Sequence, residues 1–173
     1  MFDFVGFCQD ILHAKQIDIM YYTTKIKQPK QAIPARLSKL ITKISAANRK
    51  WIAALTNQNV AIIKAGHLRV RESNACVHCG KKTLVLQEKG VDVRVSIDVL
   101  LAARQAGRTI VLGSSDSDVT PALEAAKRSG AQITYVCYAA QLNRAVAARV
   151  DKVVTFDDIT VLKYFGRKPW LNA

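Results

Sequence analysis

Short apolar runs alternate with helical segments over the second half of the chain, and this alternation limits the fold more than any other feature. Thr109 to Leu112, Gln132 to Cys137 and Lys152 to Phe156 read as strands. Between them, residues 118–129 and 139–148 have helical spacing, with Pro121 in the first turn of one helix and Gly130 after its end. A helix from about Val91 to Ala106, stopped by Gly107, precedes them, and a helix over 157–165 follows. Strands separated by helices specify an α/β fold with a mainly parallel sheet covered on both faces, joined by right-handed crossovers. Ligands of such sheets bind outside the carboxyl ends of the strands.

The first half is less regular. Residues 2–14 have helical spacing, and Ile17 to Tyr22 reads as a buried strand. Residues 23–33 form a basic loop with Pro29 inside it and Pro34 after it. From Ala35 to about Leu55 the apolar residues recur every three or four positions, which predicts a long amphipathic helix with a basic outer face. Asn59 to Ile63 reads as a short strand. Residues 64–86 read as an irregular insertion carrying Cys76-Val77-His78-Cys79.

Charge adds the next constraint. The net charge is +13 over 173 residues, and no acid occurs between Asp18 and Glu72, where eleven Lys or Arg lie. A regional excess of this kind suits a polyanionic partner, most simply RNA or another nucleic acid. Lys25, Lys27, Lys30, Arg36, Lys39 and Lys43, with Lys89 further on, are the candidate phosphate contacts, although a basic helix face can also be merely solvated. No apolar run is long enough to span a bilayer, so no membrane partner is expected. The first residues carry an acid and no basic stretch, so no secretory leader is expected. Four cysteines without a dense pairing pattern suggest a reducing, cytoplasmic setting.

The acids gather elsewhere. Glu88-Lys89-Gly90-Val91-Asp92-Val93 is followed by Asp98, by the apolar run 109–112, and then by Ser115-Asp116-Ser117-Asp118. Asp116 and Asp118 fall just past the carboxyl end of a predicted strand, and Asp92 precedes a helix that it would cap. Converging carboxylates repel unless a cation sits between them, and Mg²⁺ or Mn²⁺ would satisfy them while also binding phosphate. Each aspartate taken singly also suits a helix cap. A phosphotransfer enzyme of another Rossmann-like class would need a glycine-rich phosphate loop, which the sequence lacks.

These residues together resemble the NYN domain, the PIN-like group that includes the LabA proteins. The resemblance rests on the Glu-Lys-Gly-Val-Asp-Val run, Asp98 and the Ser-Asp-Ser-Asp turn. It continues through Pro121 to Glu124 and Gly130, and extends to Val150-Asp151-Lys152. It implies a three-layer α/β/α fold over residues 1–165, with 166–173 as a tail. It also implies a metal-dependent endoribonuclease with Asp92, Asp116 and Asp118 as catalytic and metal-binding acids, and Asp98 as a further candidate ligand. Serine stands where the family has glycine between the two acids of the turn. The family's opening strand, which ends in an acid, has no counterpart before Phe2, and Asp3 lies in a different context. A catalytically impaired RNA-binding or regulatory module is the alternative expectation, and a homodimer would cover an exposed sheet edge.

Cys76 and Cys79 have the spacing of half a zinc site. His67 is the nearest candidate third ligand in sequence, and completion across a dimer is the other arrangement. A reduced, redox-labile pair is the alternative to zinc.

Overall fold

The computed structural model describes residues 1–29, 32–105 and 107–166. Lys30 and residues 167–173, which include most of the expected tail, lie outside the described residues. In chain order the elements are α1 (Phe4–Leu12), β1 (Met20–Lys25), α2 (Ala35–Thr56), β2 (Ala61–Glu72), β3 (Leu84–Lys89) and α3 (Val91–Ala103). There follow β4 (Thr109–Leu112), α4 (Thr120–Arg128), β5 (Gln132–Tyr138), α5 (Arg144–Ala147), β6 (Lys152–Phe156) and α6 (Asp158–Leu162). They form two compact units, one made of Met1–Ile19 with the chain from Asp92 onward, the other of Met20–Val91.

The first unit is built on a parallel sheet ordered β4-β5-β6. Ile133, Thr134 and Tyr135 are successive buried residues of β5, so both faces of this middle strand are covered, as the apolar run predicts. Ile110 and Leu112 of β4 are buried while Thr109 and Val111 are exposed. α4 places Leu123 and Ala126 in this core, and Pro121 opens its first turn where no amide partner is needed. Lys127 and Arg128 in its last turn complement the helix dipole. Burying a leucine such as Leu123, fully inaccessible here, contributes about 2 kcal/mol.

The chain start belongs to the same unit. Asp3 caps α1 by accepting the Gly6 amide at 2.9 Å, and its own amide donates to the Tyr164 carbonyl at 2.9 Å. Phe2, Phe7, Phe156, Tyr164 and Phe165 pack as an aromatic cluster around it. Burial, and then the nearby Asp3 carboxylate, push the Cys8 thiol up to about 12, so it stays protonated.

The second unit departs from its expected layout. β1 begins three residues later than predicted and runs to Lys25, so 23–25 is strand rather than loop. Residues 64–86 are not an irregular insertion. β2 continues to Glu72 and returns antiparallel as β3, leaving only the tip between them irregular. His67, Arg69 and Arg71 are exposed while Leu68 and Val70 are half-buried, the period-two alternation of a strand. β1 pairs parallel with β2, but the register slips between Thr23↔Lys64 and Lys25↔His67, inserting one extra β2 residue. Gly66 sits there at φ +69°, and a side chain on it would collide with the Lys89 carbonyl and the Glu88 carboxylate. α2 matches its predicted span closely and buries Ile41 and Leu55. Among the described residues no helix is long and apolar enough to cross a membrane.

Candidate functional site

In the first unit, the chain leaving β4 passes through Gly113-Ser114-Ser115 into a single 3₁₀ turn, Ser117–Val119. Val119 is 1% exposed and pins this turn to the core. Asp116 caps it, one carboxylate oxygen accepting the Asp118 amide at 2.9 Å. The Ser114 hydroxyl accepts the Asp116 amide at 3.3 Å, and the Thr120 hydroxyl donates to the Ser117 carbonyl at 2.7 Å. Asp116 and Asp118 therefore share one short turn just past the carboxyl end of a parallel strand, and both are exposed.

The support beneath that turn has no signal in the motif. Tyr135 is fully buried in β5, and its hydroxyl lies 2.8 Å from the Ser115 hydroxyl and accepts the Asn143 amide at 3.3 Å. The Asn143 side-chain amide donates to the Ser115 carbonyl at 2.8 Å. The Asn143 side-chain oxygen accepts the Ala145 and Val146 amides, so the residue that caps α5 also ties down the aspartate loop. The local clues are an asparagine ahead of Arg144-Ala145-Val146, and a buried tyrosine whose hydroxyl needs a partner.

The other predicted acids are placed differently. Asp92 lies inside the first turn of α3, where its charge suits the dipole; Glu88 caps the helix instead, accepting the Val91 amide at 3.1 Å. Asp98 accepts a hydrogen bond from the Arg94 guanidinium at 2.9 Å, one turn back on the same helix. Asp151 clamps the sheet, one oxygen accepting the Ile133 amide at 2.8 Å and the other pairing with Lys127 at 2.9 Å. Among the described residues no three His, Cys, Asp or Glu side chains gather into a group that could hold a metal, so Asp92, Asp116 and Asp118 are not assembled as a three-carboxylate cage.

In the second unit, Lys25, Lys27, Arg36, Lys39, Lys43 and Lys89 are all exposed. α2 starts after Pro34 with no side-chain cap and no acid in its first turn, so its positive end is uncompensated. A hollow of about 160 Å³ lies between Ile26, Gln28 and α2, with Ile41, Thr42, Ser45 and Arg49 on the helix side. Gln28 is fixed by bonds to the Ser38 carbonyl and the Thr42 hydroxyl. Arg69 and Arg71, passed over in the sequence, add to the exposed cations on the hairpin.

The hairpin also separates the expected zinc ligands. His67 pairs with Lys89 at the far end of the β2–β3 ladder, five residues from the last rung, Glu72↔Leu84, or about 17 Å at about 3.4 Å per residue. It is engaged there, accepting from the Arg69 guanidinium at 2.6 Å. Cys76 and Cys79 lie at the tip, both exposed. The backbone amides of His78 and Cys79 and the Cys79 thiol donate to the Cys76 sulfur and hold its pKa below the usual thiol value.

The sequence model of the NYN domain matches residues 2–157. No curated protein matches the chain. Among solved structures, a crystal structure of a protein of unknown function from Vibrio parahaemolyticus is similar, at 16% identity and a TM-score of 0.55, over 91% of this chain and 80% of that one. That likeness shares the mixed α/β fold, with parallel strands and interleaved helices, and the family match covers both compact units. The chain belongs to the NYN family of PIN-like nucleases.

Proposed function

We propose that the chain is a divalent-metal-dependent endoribonuclease. The observation that carries this reading is the placement of Asp116 and Asp118 on one supported turn beyond the carboxyl end of β4. Their hard oxygen donors suit Mg²⁺ or Mn²⁺, which take one or two carboxylates and complete their shell with waters and substrate phosphate oxygens. When bound, such a cation supplies activation of water for attack on a phosphodiester and stabilisation of the leaving oxygen. Ser115, Tyr135 and Asn143 keep the turn in place, so the two carboxylates need little reorganisation on binding. The exposed cations of α2 and of the loop before it hold the RNA backbone, with no demand on base sequence.

The test is cleavage of single-stranded RNA with Mn²⁺ by the wild type and by Asp116→Asn, with binding followed in parallel. Cleavage by the wild type and background levels in the variant support the assignment. Equal cleavage by both removes Asp116 from the site. The second reading, an RNA-binding module that does not cut, is favoured by the absence of a three-acid group among the described residues. Tight, salt-sensitive binding without cleavage by the wild type selects that reading.

A further inference from the structure

We propose that the β2–β3 hairpin tip is a zinc half-site, and that Cys76 and Cys79 of one chain join Cys76 and Cys79 of a second copy around a shared tetrahedral ion. The tip is closed and shaped. Ser73 donates to the Thr83 carbonyl at 2.7 Å, Cys76 to the Lys81 carbonyl at 2.9 Å, and Gly80 back to the Cys76 carbonyl at 2.8 Å. Gly80 takes φ +66°, in open space, which lets the chain reverse directly after Cys79. Both thiols are exposed at this tip, three residues apart on one tight turn.

Zinc in a closed structural site takes four ligands, usually thiolate or imidazole. The tip supplies two. His67 is held at the other end of the ladder, and no third ligand joins the pair among the described residues. A second tip supplies the same pair again, which completes the tetrahedron with identical chemistry across a twofold axis. Charge makes the ion necessary to the pairing. Arg71, Lys81 and Lys82 flank each tip, and although Glu72 pairs with Lys82 at 3.6 Å the tip keeps a positive excess, so two tips repel when brought together without metal. A zinc ion with four thiolates carries a net charge of −2, and those same cations then offset it.

The test titrates ZnCl₂ into the reduced full-length chain, following sedimentation and bound metal, with Co²⁺ as a spectroscopic substitute. The expected result is one ion per two chains, a monomer-to-dimer shift reversed by chelator, and the intense visible absorption of tetrahedral thiolate-bound Co²⁺. Cys79→Ser should lose all three, while His78→Ala and Cys8→Ser keep them. The Co²⁺ spectrum of the wild type stands without any variant, so misfolding of Cys79→Ser does not remove the test. One ion per single chain, loss of binding in His78→Ala, a dimer indifferent to chelator, or no metal uptake by the reduced protein would each overturn the proposal.

Discussion

Met20–Val91 carries fourteen Lys or Arg and two acids, a net charge of +12, whereas the rest of the chain carries twelve and eleven, a net of +1. The candidate metal-binding aspartates lie in the near-neutral unit, and the candidate phosphate contacts lie in the strongly basic one. Under the proposed function, this difference would give the two units separate tasks. A self-repelling unit with an uncompensated helix N-terminus would be stabilised by a polyanion bound to it. Carboxylates that were to hold a small cation would gain nothing from a dense ring of lysines, which would compete for them.

Separating cutting from holding would sharpen this contrast most. Asp116→Asn should lower the rate of RNA cleavage on the order of 10³-fold, the scale of losing metal-assisted charge stabilisation, and leave the RNA dissociation constant within about a factor of two. Comparable loss of binding in this variant would break the division of labour. The paired change Lys39→Ala with Lys43→Ala should do the reverse. It should weaken binding to every RNA sequence alike and flatten the dependence of log K on log salt by about 0.7 for each phosphate left without its lysine. Sequence-dependent weakening would show that these side chains read bases.

The two units also differ in how far they could be read without a structure. β4, α4 and β5 are legible because they are bounded by Gly107, Pro121 and Gly130, which fix chain reversals locally. The hairpin is harder to read, because Gly66 interrupts the run that continues β2 beyond Ile63, and the alternation that follows holds only Leu68 and Val70 as apolar residues before Glu72. The turn that carries Asp116 and Asp118 is legible from its position at a strand end. Its supports are not, since Tyr135 and Asn143 lie 20 and 28 residues from Ser115 and meet it only through the parallel sheet. Sequence spacing points to His67 as a zinc ligand, but the ladder holds it away from Cys76 and Cys79 for the converse reason: nearness in sequence is distance along an extended strand.

Gly66 gives a smaller, local test in the basic unit. Gly66→Ala places a methyl group on a left-handed residue and against the Lys89 carbonyl, so it should destabilise the β2–β3 ladder by about 1–3 kcal/mol. Hydrogen exchange of the Leu68 and Val70 amides should speed up in the variant. Unchanged protection of those amides would mean that the bulge relaxes freely.

The smallest expected effect belongs to the near-neutral unit and to pH. Asp151 accepts the Ile133 amide and pairs with Lys127, and these two partners, the amide first, hold its pKa below the usual carboxylate value. A depressed folded-state pKa contributes stability that is present above the unfolded value of about 3.9 and is lost as pH falls through the folded one. Asp151→Asn keeps an oxygen for the Ile133 amide but gives up the charge that Lys127 meets. The variant should therefore melt below the wild type at neutral pH, and the gap should close as pH drops below about 4. Lys127 and Asp151 are both partly exposed, so added salt should narrow the neutral-pH gap as well. A gap that stays constant through the acid range would mean that the clamp on β5 acts through shape and the Ile133 bond alone, with no part played by the charge.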